Sequence, residues 1–239
     1  IRDCSFENNN CQNRGGAVYN GGGSTVFEDC VFENNIAVSS GAIYHNTIDD
    51  PETASVVFRR CDYRGNRGNF GGAMSIYGNG TSLVEDCIFD GNTADAGGGA
   101  LSIGFTNNSM IINTHFANNQ ADRGGAIWQQ NDTTSVTIED SYFETNLCLT
   151  SNGGAIFQRG SAQLRVYDSQ FEGNRAEFGG AIYMTEDSVD LSSMVLERCY
   201  FNFNVAESQG GAININNADC YLASNLISNS IINAGQVGG

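Results

Sequence analysis

The chain has 239 residues, and its 40% hydrophobic content supplies enough apolar side chains for a core and excludes a disordered chain. The formal net charge is −16, with eleven Arg and no Lys, which makes nucleic acid and anionic membranes poor partners. Without a stretch of about 18 or more apolar residues, no membrane insertion is predicted.

Two short motifs alternate along the sequence. The first is an aromatic residue followed three positions later by Asn, and the second is Gly-Gly-Ala followed by an apolar residue. Successive aromatic residues of the first motif are 26 to 31 residues apart, a period typical of stacked repeat proteins. The alanines of the second motif are Ala17, Ala42, Ala73, Ala100, Ala126, Ala155, Ala181 and Ala212. In the second copy, Ser40 replaces the first Gly.

Each repeat, taken in chain order, predicts three short strands. An apolar strand such as 136–138 leads through a bend to a second strand that ends in the aromatic residue. An Asn turn follows, and Gly-Gly-Ala opens the third strand. Because such short strands cannot bury a face alone, we expect stacked coils that share one core. The sequence therefore predicts an all-β, right-handed parallel β-helix (a solenoid) of about eight coils, with a ninth partial coil over 221–232.

The repeats indicate a single β-helix domain over 1–239, with an insertion loop at 46–54 that contains Pro51. The sequence lacks an initiator Met and a signal peptide, and neither end shows a helical or charged cap. Exposed strand edges invite pairing, so we expect this domain to be part of a larger chain or assembly.

Equivalent positions of stacked coils should form ladders. The aromatic position predicts a stack inside the solenoid, and the Asn position predicts side-chain amides that bond their own turn and the amide of the next coil. We interpret this Asn ladder as structural. Its members are Asn9, Asn35, Asn66, Asn92, Asn119, Asn146, Asn174 and Asn204.

The position two residues before the aromatic is always small and is predicted to point inward. It holds Cys4, Cys30, Cys61, Cys87, Thr114, Ser141, Ser169 and Cys199. We expect buried free thiols, because nearly parallel Cβ vectors would strain a vertical bridge such as Cys61–Cys87. Disulfides are the alternative, since the chain has eight Cys.

Carboxylates also recur, for example Asp3, Asp29 and Asp86, each three residues before the aromatic. A solvated acidic edge is one interpretation, and Ca²⁺ between stacked carboxylates is the other. No other cofactor and no zinc-type cluster is predicted. Neither His45 nor His115 falls beside another plausible catalytic group, so we predict no catalytic residues and no enzyme.

Strand alternation after Gly-Gly predicts that the residue following Ala points inward, whereas Ala and the residue two positions beyond it point outward. The outward positions include a contact stripe of aromatic residues: Tyr19, Tyr44, Trp128, Phe157 and Tyr183. A flat face of this kind favours contact with another molecule, and rows of rings can stack on sugars. Burial of these side chains as core residues is the alternative.

Three glycosylation sequons occur in successive repeats, at Asn79, Asn107 and Asn131. Each lies five to seven residues after the Ala of its repeat, so stacking would place all three on one edge of the solenoid. We expect N-glycans there if the source is a eukaryotic secretory pathway.

The pairing of the two motifs, from Phe6-Glu-Asn-Asn with Gly15-Gly-Ala-Val to Phe201-Asn-Phe-Asn with Gly210-Gly-Ala-Ile, resembles the repeat of the polymorphic outer-membrane proteins. The resemblance covers nearly the whole chain and implies a pectin-lyase-like β-helix, surface display and adhesion, with no catalytic residues to transfer. The chain departs from that family in lacking a C-terminal membrane barrel.

The leading functional hypothesis is therefore a non-enzymatic, extracellular structural or adhesive module at the cell surface. It could be a glycosylated subunit of a fibre or filament, with other copies, other subunits or glycans as partners. Two alternatives stay open: a polysaccharide-acting lyase or hydrolase on a β-helix scaffold, and a carbohydrate-binding module that uses the aromatic stripe.

Overall fold

A computed structural model describes residues 1–47, 54–105, 107–130, 134–185 and 193–232. These residues form 34 short strands, all paired in parallel, and no helix. A full coil contributes one strand to each of four sheets, rather than three strands as predicted. The missed strand follows the Asn turn and is only two to five residues long, too short to show a period in the sequence.

We name the sheets by their position in the coil. The aromatic sheet contains Ser5–Glu7, Val31–Glu33, Asp62–Arg64, Ile88–Asp90, His115–Ala117, Tyr142–Glu144, Gln170–Glu172, Tyr200–Asn202 and Leu226–Ser228. The Asn-turn sheet contains Asn10–Cys11, Ile36–Ala37, Arg67–Phe70, Thr93–Gly97, Gln120–Ala121, Leu147–Cys148, Arg175–Phe178, Val205–Gln209 and Ile231–Ile232. The Gly-Gly sheet contains Val18–Asn20, Ile43–Thr47, Met74–Gly78, Leu101–Gly104, Ile127–Gln129, Ile156–Arg159, Ile182–Thr185 and Ile213–Asn216. The long-strand sheet contains Thr25–Glu28, Ala54–Arg59, Gly80–Glu85, Asn107–Ile112, Ser135–Glu139, Gln163–Tyr167, Ser193–Glu197 and Asp219–Ala223.

This order repeats through eight coils and two strands of a ninth, which confirms the predicted right-handed β-helix and its partial last coil. The aromatic motif residues pair in register, as Phe89 does with Phe116. Successive ring centroids from Phe6 to Phe201 lie 4.6 to 4.9 Å apart, and the rings are within 6° of parallel. This spacing matches the separation of about 4.8 Å between hydrogen-bonded strands, so backbone pairing and ring stacking support each other.

The Asn motif residues form one continuous ladder. The Oδ1 atom of Asn119 accepts hydrogen bonds from the backbone N–H and from Nδ2 of Asn92, both at 3.0 Å. Its own Nδ2 donates to the carbonyl of Phe89 and to Oδ1 of Asn146. Each interior amide is thus fully paired. The predicted bond to the amide of the next coil is confirmed, whereas the backbone partners lie on the preceding coil and not in the residue's own turn as predicted. A buried amide is stable only when paired in this way.

The recurring Asp residues three positions before the aromatic have a backbone explanation. This turn position adopts a left-handed conformation in every coil, with φ between 45° and 54° for its first eight members. They are Asp3, Asp29, Arg60, Asp86, Asn113, Asp140, Asp168 and Arg198. Asp and Asn tolerate this conformation better than most residues, so turn geometry is sufficient to explain their recurrence.

The Gly-Gly-Ala turn needs its two glycines for different reasons. The first, such as Gly98 with φ +65°, adopts the left-handed conformation. At the second, such as Gly99, a Cβ would overlap the carbonyl oxygen of Gly125 in the next coil. Coil-to-coil approach therefore excludes any side chain at this position.

Candidate functional site

The predicted contact stripe lies on the outer face of the Gly-Gly sheet. The residue after each Ala, such as Ile43, packs in the interior core, whereas Trp128, Phe157 and Tyr183 form a cluster of their own. The alanines themselves belong to the interior core, so the prediction that they point outward is wrong. They lie in the turn before the strand, where strand alternation does not apply.

The stripe is recessed, so the prediction of a flat exposed face is also wrong. Four of its members are 4% to 9% exposed: Tyr44, Trp128, Phe157 and Tyr183. Tyr19 alone among the five is well exposed, at 55%. Phe70 and Phe178 of the Asn-turn sheet pack against the Trp128 cluster from outside. Outward side chains of two adjoining sheets therefore meet in a crease.

A groove of about 490 Å³ opens in this crease beside coils one to five. Its lining residues are Arg14, Ser39, Tyr44, Asn46, Phe70, Tyr77, Phe105, Trp128 and Gln130. The groove exists because the stripe position is Ser75 in coil three and Ser102 in coil four, where coils two and five carry aromatic rings. Its volume lies within the range of roughly 300–1,000 Å³ that is usual for small-molecule sites.

One wall of the groove is a chain of edge-to-face rings. The ring centroids of Tyr44 and Tyr77 are 5.8 Å apart, and those of Tyr77 and Phe105 are 5.5 Å apart. The hydroxyl of Tyr77 is hydrogen-bonded to Oγ of Ser102 at 2.6 Å, which fixes the ring. Above this wall, the guanidinium of Arg14 lies 4.9 Å from the centroid of Tyr44, a cation–π contact.

Trp128 forms the opposite wall. Its indole stacks against Phe70 with centroids 5.4 Å apart. A Cβ on Gly97 would collide with the indole, so this glycine makes room for it. The indole N–H is buried and has no hydrogen-bond partner among the described residues. An unpaired buried donor costs about 1–3 kcal/mol, so this position lowers stability relative to a paired indole.

Phe105 stands at the rim in a strained backbone conformation. Its φ is +63°, which is rare for a bulky residue, and its side chain is 43% exposed. At the equivalent positions Gly22, Gly78, Gly160 and Asn217 also have positive φ, whereas Thr47 of coil two ends a strand there without positive φ. Strain of this kind costs about 1–3 kcal/mol and clusters at binding sites.

The sequons differ in accessibility. Asn79 and Thr81 are both exposed, next to the start of a long strand. Asn107 opens the strand Asn107–Ile112, and the hydroxyl of its sequon residue Ser109 is buried against Ser82. Asn131 lies outside the described residues, as does most of the 46–54 insertion.

His115 has titratable neighbours, contrary to prediction. Its ring stacks on Tyr142 with centroids 5.1 Å apart, and its Nε2 lies 3.4 Å from the carboxylate of Glu144. Tyr142 donates a 2.7 Å hydrogen bond to Glu172, and burial and this bond raise the pKa of the Tyr142 hydroxyl. These residues come from three successive coils, so aligning the repeats on their aromatic residues would have brought them together.

His45, in contrast, points into the interior beside Ile76 of the next coil. Its Nδ1 is buried and unpaired, and burial lowers the pKa of the imidazole to about 4. Burial disfavours the charged form, so this residue is a structural core histidine.

All eight cysteines are unbridged, and five are buried as predicted, whereas Cys4, Cys11 and Cys220 are exposed or half-buried. The position two residues before the aromatic requires a small residue whose side chain both donates and accepts a hydrogen bond. Thr114 donates to the carbonyl of Ile112 and accepts the backbone N–H of Cys87 from the preceding coil. Cys199 makes the same short-range bond to Glu197, and burial raises the pKa of its thiol to about 11.

The acidic edge is partly neutralised by arginines at the same turn position. Arg60 makes two hydrogen bonds to Asp29, and Arg198 makes two to Asp168. These bonds lower the pKa of both aspartates. Among the residues with described positions, no group of three or more His, Cys, Asp or Glu could hold a metal ion.

Two protein families match parts of this sequence. Residues 3–21 match the Chlamydia polymorphic membrane protein repeat, and residues 47–193 match the right-handed beta helix region. No curated protein and no solved structure matches the chain. No helix within the described ranges is long and apolar enough to cross a membrane. Since the second match spans more than half of a chain whose coils run continuously through it, the chain belongs to the right-handed beta helix family.

Proposed function

We propose that the chain is a non-catalytic adhesive module of an extracellular surface, with the β-helix as a rigid scaffold and the groove as its contact site. The match to the polymorphic membrane protein repeat suggests a surface or outer-membrane location. The observation that carries the proposal is the aromatic-lined groove itself, which arises where coils three and four depart from an otherwise regular repeat.

The rest of the molecule supports a display role. Asn side chains bond coil to coil without a break from Asn9 to Asn204, and the aromatic stack runs beside them. Such continuous ladders make a stiff rod whose outer face holds side chains in fixed relative positions. The charge of −16 keeps that face hydrated and soluble.

Bead retention tests the adhesive role. Beads coated with the folded chain should be held on cultured cells or extracellular matrix under flow more strongly than beads coated with the same chain after denaturation and thiol blocking. Equal retention would overturn the proposal. Negative-stain electron microscopy of native material would show whether the chain works as a filament subunit with other copies or as a separate projection.

A lyase or hydrolase is the second candidate, favoured by the cluster of His115, Tyr142, Glu144 and Glu172 on adjacent coils. Paired carboxylates beside an imidazole could transfer protons to a bound polysaccharide. Incubation with neutral and acidic polysaccharides should release no new reducing ends. Release that disappears in Glu144→Gln would replace the adhesive proposal with this one.

A further inference from the structure

We propose that the groove binds the uncharged pyranose rings of an oligosaccharide. This inference rests on the proposed adhesive function and names the ligand class of its contact site.

The shape of the groove comes from three columns of side chains. The residues immediately before the Gly-Gly turns line one side, and residues at or just beyond the ends of the Gly-Gly strands line the other side. Tyr44 and Trp128, at the stripe position, close its two ends. Ser75 and Ser102 lower the floor between Tyr44 and Trp128. Those two rings are three coils apart, about 14 Å by strand spacing, so the recess suits an elongated ligand with several rings.

The lining offers what a sugar ring requires. Phe105 and half-buried Phe70 present apolar ring surface, which can pack against the C–H faces of a pyranose. Ser39 and Gln130 place a hydroxyl and an amide at the rim.

The charges around the groove favour uncharged sugar rings over cationic ligands and polyanionic glycans. Arg14 is the only charged residue lining the described groove, and its guanidinium already covers the Tyr44 ring. A cationic ligand would meet that positive charge in the aromatic site. A polyanionic glycan would meet the field of a chain with a net charge of −16. Arg14 can still donate hydrogen bonds to neutral hydroxyls.

The backbone conformation of Phe105 independently supports a recognition role for this residue. At its turn position, the other described residues with positive φ are Gly or Asn, which adopt it with less strain, and coil two avoids positive φ with Thr47 at the end of a strand. Phe105 makes the backbone less stable and yet supplies an exposed ring at the rim of the groove. A residue kept against its own backbone preference is expected where a side chain serves recognition.

Trp128 is the only Trp in the sequence, so fluorescence excited selectively at tryptophan reports on the groove. Cellohexaose, mannohexaose and chitohexaose are suitable uncharged probes, with hexagalacturonate as the acidic probe and spermine as the cationic one. At millimolar concentration, at least one uncharged probe should change Trp128 emission saturably, and it should bind more tightly than either charged probe.

Two variants remove the site in different ways. Ser102→Tyr removes the hydroxyl that holds the Tyr77 ring, so the larger side chain should push that ring into the groove; circular dichroism and thermal unfolding check that the β-helix is retained. Phe105→Gly removes a wall and relieves the left-handed strain, so its midpoint of thermal unfolding should be equal to or above that of the wild type. Both should weaken binding of the responsive probe by about tenfold or more. Tyr200→Ala, on the aromatic sheet, is the control and should bind as the wild type does.

Several results would overturn the inference: no response to any uncharged probe, tighter binding of hexagalacturonate or spermine, or unchanged affinity in both variants. The bead assay separates this outcome from failure of the proposed function. Retention of wild-type beads without any saccharide binding would overturn the ligand class and leave the adhesive role in place. Loss of retention in Ser102→Tyr, with Tyr200→Ala unaffected, would support both.

Discussion

The Asn ladder and the groove are built by the same coils but follow opposite rules. Every coil gives the ladder one Asn, and each interior Asn makes the same bonds to its two neighbours. The groove exists because neighbouring coils differ, with Ser75 and Ser102 between aromatic residues and Gly97 where coil three has Phe70. Repetition therefore fixes register and stability, and departures from repetition create a place for recognition.

The largest effect is expected from breaking the ladder at its centre. Asn119→Ala would leave the backbone N–H of Asn92 and the carbonyl of Phe89 buried with lost partners. We expect the free energy of unfolding, measured by chemical denaturation, to fall by about 4 kcal/mol. Asn9→Ala is the matched control at an exposed ladder position and should cost less than about 1 kcal/mol. Similar losses in the two variants would contradict the burial argument.

An acid-dependent loss of stability should follow from His45. The unfolded chain takes up a proton near the ordinary pKa of 6.5, whereas the folded chain does so only near a pKa of about 4. Its contribution is therefore complete above pH 6.5 and declines as the pH falls to 4, by about 3 kcal/mol in total. Urea unfolding of wild type and His45→Gln across this range isolates the effect, because Gln129 and Gln158 occupy the same interior position. Parallel pH profiles would exclude His45 as the cause.

A smaller effect is expected when the groove is disturbed without touching the ladder. In Gly97→Ala the new methyl group would displace the indole of Trp128, at a cost of about 1–2 kcal/mol, and shift its fluorescence to longer wavelength. Gly91→Ala is the control, because its Cβ meets nothing within 4 Å although its φ is +65°. That variant should lose stability with unchanged emission. A shift in both would mean that global loosening, not local collision, moves the indole.

No loss of stability is involved in the last prediction, which concerns thiol reactivity. Cys4, Cys11 and Cys220 are exposed or half-buried, and the other five thiols are buried. Burial raises the pKa of Cys148 to about 12, which keeps it protonated and unreactive at neutral pH. A thiol-specific reagent should label three cysteines quickly in the folded chain and all eight in denaturant. Fewer than eight in denaturant would reveal a disulfide.

The sequence was sufficient for the β-helix and its number of coils, because stacking depends on the period, whereas the short strand after the Asn turn was missed. Aligning Phe89 with Phe116 fixes their whole coils, including the cysteine and Asn positions. The groove was harder to predict from the sequence, because it depends on which outward side chains of two adjoining sheets contact each other. Phe70, from coil three, reaches Trp128, from coil five, and a period cannot reveal a contact that skips a coil. The alanines were misassigned because alternation was extended from the strand into a turn.

The close approach of the Gly-Gly turns has a consequence for how such a molecule changes over generations. Gly99 contacts Gly125 in the same way as Gly125 contacts Gly154. The contact surface between one pair of coils is therefore nearly the same as that between the next pair. A whole repeat inserted or lost between coils six and seven would thus meet a matching partner on both sides. The length of the rod can drift by gene duplication while the five coils beside the groove are preserved intact.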